Sequence, residues 1–140
     1  MTALGLVVAE FNRPITEEME AGAREAAAAG DAEIRETVSV PGVYDTPLAA
    51  DRLARRNDID AVAVVGTVIT GDTDHDQVIS DAAAGRLADV SLDRDTPVTL
   101  GVTGPGMSAA EARERIDNAA KAVEGAIDLV SRLPAPSGTD

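Results

Sequence analysis

A chain of 140 residues is long enough to bury one substantial core, and its lack of cysteine excludes disulfide frameworks, thiolate metal sites and cysteine nucleophiles. A net charge of -13 argues against nucleic acid and anionic membrane surfaces as partners. No apolar run approaches the ~20 residues needed to cross a bilayer, and the first residues lack a basic-then-apolar signal pattern, so a cytoplasmic protein is expected.

Residues 4–9 form a short apolar run without polar alternation, as in a strand buried on both faces. It stops at Glu10-Phe11-Asn12-Arg13-Pro14, where Asn12 is suited to cap a helix and Pro14 to sit in its first turn. Ile15, Met19, Ala23 and Ala26 then give one apolar stripe, closed by Gly30. Residues 34–40 predict a second strand, and Glu36, on the same parity as Ile34 and Val38, points to a sheet edge. Pro41-Gly42 ends it, and Thr46-Pro47 reads as an N-cap followed by the first-turn proline of a helix reaching about Arg56.

Residues 59–69 are the most apolar strand and are expected at the sheet centre. They lead through Gly71-Asp72-Thr73-Asp74 to His75, the only histidine, and then to a helix with Ile79, Ala83, Leu87 and Val90 on one face. Residues 96–102 predict a fourth strand, with Pro97 confined to its start. After the loop Gly104-Pro105-Gly106, Ser108 and Glu111 make a capping box. The last helix carries Ile116, Ala119, Val123, Ala126, Ile127 and Val130 on one side. Residues 1–133 are expected to be a single domain and residues 134–140 a flexible tail.

Four strands alternating with four helices predict a three-layer α/β/α fold, a four-stranded parallel sheet with helices on both faces. Ligands bind such sheets beyond the carboxyl ends of the strands. The single Phe, Tyr and His of the chain, Phe11, Tyr44 and His75, all fall at those ends. That coincidence of scarce residue types points to one functional site.

Each candidate has two readings. The Phe11 ring either stacks on a flat heterocycle or folds over the following helix as a staple. Asp45, after the rigid Pro41-Gly42 turn, either binds ligand hydroxyls or assists the cap at Thr46. Gly71-Asp72-Thr73 at a helix start offers main-chain N–H groups to an anion, without the length or lysine of a P-loop. His75 is either a general acid/base or an exposed helix-start histidine without a role. Arg113 and Arg115 are either solvated among Glu111 and Glu114 or hold a phosphate by bidentate bonds. With no second histidine, a transition-metal site is not expected.

Lys121 is the single lysine among 12 cationic side chains facing 25 acidic ones. An acidic surface nearly free of lysine is the pattern of a protein from a high-salt cytoplasm, although an ordinary acidic protein is the other reading.

Together these pieces resemble the 6,7-dimethyl-8-ribityllumazine synthase family over residues 4 to about 133. The specific elements are Phe11-Asn12, Val40-Pro41-Gly42-Val43-Tyr44-Asp45-Thr46-Pro47 and Gly66-Thr67-Val68-Ile69-Thr70-Gly71-Asp72-Thr73-Asp74-His75. Pro97-Val98-Thr99-Leu100-Gly101 and Glu114-Arg115 add to them, and the loop from Gly101 through Met107 looks like the archaeal, haloarchaeal-type branch. The resemblance implies a flavodoxin-like fold and a transferase of riboflavin biosynthesis. Such an enzyme condenses 5-amino-6-(D-ribitylamino)uracil with 3,4-dihydroxy-2-butanone 4-phosphate, without cofactor or metal.

By the same resemblance, Phe11 stacks on the pyrimidine, Asp45 with main chain at Val43 and Tyr44 holds the ribityl chain, and Thr67, Val68 and Ile69 bond the pyrimidine. Asp72, Thr73 and Arg115 hold phosphate, His75 is the acid/base, and Leu100 meets the pyrimidine from a neighbouring subunit. The partners implied are two small-molecule substrates and further copies of the chain, as a pentamer or a multiple of pentamers. Thr70 and Leu100 depart from the family pattern, where Arg or Lys and Phe are common. Two alternatives stay open: an archaeal-type riboflavin synthase of the same fold, against which the intact run 66–75 speaks, and a non-catalytic ribityl- or flavin-binding assembly protein.

Overall fold

The computed structural model describes residues 1–70 and 75–134. Strand β1 (Thr2–Ala9) is buried from Ala3 onward, and β3 (Ala61–Thr67) is buried along its whole length. Two strands this apolar need cover on both faces, and they pair in parallel at the centre of the sheet. Strands β2 (Ala32–Val40) and β4 (Val98–Thr103) take the edges, giving the order β2-β1-β3-β4 with every pairing parallel. The expected edge position of β2 holds. The strand carries Arg35 paired with Glu33, and Glu36 paired with Arg56, charges that discourage pairing with another strand.

Alternation along the strands sends side chains to two layers of helix. Leu4, Leu6 and Val8 of β1 with Ala61, Ala63 and Val65 of β3 pack beneath helices α1 (Arg13–Ala29) and α5 (Asn118–Arg132). Val7, Val62 and Val64 pack on the other side, beneath α2 (Thr46–Ala54) and α3 (His75–Arg94). The result is a three-layer α/β/α sandwich of the flavodoxin-like kind. A third, smaller cluster of Ala9, Val43, Val68 and Ala83 closes the carboxyl end of the sheet and forms a floor there.

Local details differ from expectation in places. Thr46 is not the N-cap of α2. Asp45 holds that position, and the buried Thr46 hydroxyl donates to the Val43 carbonyl at 2.7 Å. A 3-10 turn (Val43–Asp45) runs directly into the helix and moves its start one residue earlier. Asn12 stands at the N-cap of α1 in a left-handed conformation (φ 64°) and caps through its carbonyl, which accepts from Ile15 and Thr16, with no side-chain cap bond. The last helix is divided. Helix α4 (Ala109–Arg113), opened by the expected Ser108–Glu111 box, passes through a turn at 114–117 into α5. Three-residue bonds, from Arg115 N–H to the Ala112 carbonyl and from Asn118 N–H to the Arg115 carbonyl, carry the chain through it. Among the described residues no helix is long and apolar enough to cross a membrane. The expected tail, apart from Pro134, lies outside the described residues.

Candidate active site

The carboxyl ends of β1, β2 and β3 open into one cleft of about 390 Å³. Its first wall follows from the β1–β2 ladder. That ladder continues past the strands, with Glu10 N–H on the Val40 carbonyl at 2.8 Å and Phe11 N–H on the Pro41 carbonyl at 3.0 Å. Phe11 is thereby drawn beside the segment 41–45. Its ring remains 56% exposed and lines the cleft, so the staple reading does not describe it. Tyr44, also in the wall, is 65% exposed. Two large rings left in solvent at one mouth are unfavourable unless something flat or apolar comes to cover them.

The segment 41–45 is held by its own turn. Asp45 N–H donates to the Gly42 carbonyl, and the Gly42 N–H returns a bond to Asp45 Oδ2, both at 3.0 Å. The carboxylate of Asp45 therefore braces the turn rather than capping Thr46, while Asp45 still lines the cleft. Val43 is buried beneath it against β3. A Cβ on Gly66 would lie 2.9 Å from Ala9 Cβ and 3.0 Å from Val43 Cγ2, so only glycine lets this turn sit so close.

Thr67, Val68 and Ile69 form the back of the cleft. The Thr67 side chain, 1% exposed, is engaged inside the sheet, where Thr103 Oγ1 donates to Thr67 Oγ1 at 2.6 Å. What this residue can offer a ligand is main chain. Val68 N–H is already given to the Thr103 carbonyl at 2.8 Å.

His75, at the first described position of α3, lines the same cleft, with Ile79 one turn further along. Beside it, Asp76 is only 7% exposed, also lines the cleft, and accepts the Gly106 N–H on Oδ2 at 2.9 Å. Sequence reading did not single out Asp76. The signal was present: the stripe Ile79, Ala83, Leu87, Val90 extended backwards by three residues reaches position 76 and places it on the inner face.

Other expected site residues are elsewhere. Asp72 and Thr73 lie outside the described residues. Leu100, half exposed on the edge strand β4, stands away from the cleft over a separate hollow of about 160 Å³ bordered by Ser80, Asp81 and Ala84. Arg113 and Arg115 are exposed at and just after the end of α4 and do not line the cleft. Arg115 stands close enough to Glu111 to be felt: hydrogen bonds from Ser108 chiefly, and the Arg115 charge in part, hold the Glu111 carboxyl below its ordinary range. Among the described residues no three His, Asp or Glu side chains converge to hold a metal ion.

One chain thus presents a concave site lined by two exposed rings, a braced carboxylate, main chain along a strand end, and a histidine. Such a site can cover a flat polar heterocycle and move a proton at its edge. The family described as 6,7-dimethyl-8-ribityllumazine synthase matches residues 2–133. Among similar proteins, the 6,7-dimethyl-8-ribityllumazine synthase of Halobacterium salinarum is 71% identical over 133 residues, covering 95% of this chain and 100% of that protein. The same-named protein of Halorubrum lacusprofundi is 68% identical, covering 95% and 99%. That of Methanocaldococcus jannaschii is 47% identical over 135 residues, covering 96% of each chain.

Proposed function

The chain belongs to the 6,7-dimethyl-8-ribityllumazine synthase family, and from that premise we propose that its cleft condenses 5-amino-6-(D-ribitylamino)uracil with 3,4-dihydroxy-2-butanone 4-phosphate. The product is 6,7-dimethyl-8-ribityllumazine, with phosphate and water released. The observation that carries this reading is the convergence of Phe11, Asp45, the 67–69 main chain and His75 on one cleft.

The pyrimidine stacks on Phe11 with its polar edge along residues 67–69, and its ribityl chain runs towards Asp45 and the main chain of Val43 and Tyr44. The uracil amine adds to the ketone carbonyl and water leaves to give an imine. Loss of a carbon-bound proton then drives out phosphate, and the ribityl-bearing nitrogen closes the ring with loss of a second water. No electrons change hands overall, so no redox cofactor is called for. His75, the single imidazole of the chain, takes and returns the protons. Holding two substrates in register supplies much of the remaining acceleration. Asp72, Thr73 and Arg115 hold the phosphate.

Leu100 and Arg115 stand outside the cleft of their own chain, which supports an assembly in which they complete the cleft of a neighbouring copy. We place residues 1–133 in one domain, the assembly as a pentamer or multiple of pentamers, and the reaction in the cytoplasm.

Mixing the two substrates with the purified protein and following product fluorescence tests the reading. Lumazine formation is expected, with His75→Ala losing about 100-fold or more in kcat at saturation. Ribityl ligand bound without product would favour the non-catalytic binding protein. Riboflavin formed from lumazine alone would favour the synthase paralogue. Full turnover by His75→Ala would remove the histidine from the mechanism.

A further inference from the structure

We infer that Asp76 is a positioning residue for this reaction: its buried carboxylate clasps the loop 104–107 to the first turn of α3 and so sets where the His75 imidazole stands over the cleft. The inference rests on the role of His75 given above.

A carboxylate that is only 7% exposed is costly to keep in the fold unless its partners are well placed. Here the partner is a backbone N–H, that of Gly106, at 2.9 Å, a charge-assisted bond. The loop it holds is built to be held. Gly104 has φ 98°, and a Cβ on it would lie 2.0 Å from the Val68 carbonyl oxygen, so the loop lies directly on the chain leaving β3. Gly106 has φ 78°, a left-handed conformation that its N–H keeps while facing Asp76. The two ends of the same loop are tied to the same connection. Val68 N–H donates to the Thr103 carbonyl and Thr70 N–H to the Met107 carbonyl, each at 2.8 Å.

These bonds divide the labour. The two backbone bonds seat the loop on residues 68–70, and the Asp76 bond reaches across to α3. His75 is the chain neighbour of Asp76 in the first described turn of α3, so what holds the Asp76 main chain also holds the backbone from which the imidazole springs. Asp76 need not touch substrate to matter. A displacement of the imidazole by about 1 Å is enough to cost on the order of 100-fold in rate.

The test uses the intact enzyme and steady-state kinetics with both substrates. Asp76→Ala is expected to lower kcat by about 10- to 100-fold while both KM values stay within about threefold, because proton transfer is misplaced and binding is not. Asp76→Asn, whose amide oxygen still accepts from Gly106, is expected to recover most of the loss. In a His75→Ala background Asp76→Ala should cost less than about threefold more, since both changes act through one group. Hydrogen exchange of the segment 104–107 should quicken in Asp76→Ala and not in Asp76→Asn. If Asp76→Ala fails to fold, Asp76→Glu, which displaces the acceptor by one methylene, takes its place with the same kcat-limited loss expected.

An Asn variant as impaired as Ala, a full loss repeated on the His75→Ala background, or unchanged exchange at 104–107 would each overturn the inference. Exchange is read without substrate, so a protein that makes no lumazine would sink the proposed reaction while the clasp is still judged.

Discussion

Replacing Thr103 by valine removes one hydroxyl from a pair that nothing else can satisfy in the same place. Thr103 and Thr67 face one another as the last register pair of β3 and β4, are 0% and 1% exposed, and share the 2.6 Å bond in which Thr103 donates. Valine keeps the shape of threonine. Thr103→Val therefore leaves the Thr67 oxygen buried without that donor, and Thr67→Val leaves the Thr103 hydroxyl without that acceptor. Each unpaired hydroxyl costs about 1–3 kcal/mol, and the new buried methyl returns about 0.8 kcal/mol, so a net loss of about 1–2 kcal/mol is expected for either single variant. For a domain of this size that corresponds to roughly 3–7 °C in Tm. The double variant has two methyl groups in contact and no orphaned hydroxyl, and should lie within about 1 kcal/mol of the parent. The assay is urea unfolding of parent, two singles and double at one protein concentration, read as a coupling energy of about 1–4 kcal/mol. A double variant whose loss equals the sum of the singles would refute the pairing.

Arg94 ties α3 to α2 through Asp51, with Nε donating to Oδ1 at 2.8 Å, and this bond chiefly holds the Asp51 carboxyl below its ordinary range, helped by Arg55. A carboxyl depressed in the folded state stabilises the fold fully above its unfolded pKa of about 3.9 and loses that contribution as pH falls through the lower folded value. Arg94→Ala should therefore be less stable than the parent at pH 7, and the gap in unfolding midpoint should close towards pH 3. A gap that stays constant between those pH values would contradict the assignment. The net charge of -13 predicts that raising KCl from 0.1 to 2 M increases Tm, most of the rise coming below about 1 M, where the screening length has already fallen to about 3 Å. A flat or falling Tm would show that self-repulsion is not what limits the fold.

Several features were legible because they depend on neighbours in the chain. The unbroken run from Ala61 to Val65 could only be an inner strand, and Glu36 within β2 marked an edge. The Ser108–Glu111 box opened α4 as its spacing required. Phe11, Tyr44 and His75 gathered at one cleft because the alternation of strand and helix puts every β-to-α connection on the same side of a parallel sheet. Other features were not legible. No glycine or proline marks the turn at 114–117. Thr46 has every mark of an N-cap and is instead drawn inside by the turn before it.

By itself, then, the sequence determined the layers, the central and edge strands, and the end of the sheet where the site lies, since periodicity and punctuation act over a few residues. Only the tertiary structure decided the partners. It turned the Thr67 hydroxyl towards Thr103 and away from a ligand, spent part of Asp45 on its own turn, and buried Asp76 against Gly106. It also kept Leu100 and Arg115 out of their own chain's cleft. Each of these depends on how far apart two distant segments come to rest, a distance set by helix packing and close contacts at Gly66 and Gly104 that no local pattern encodes.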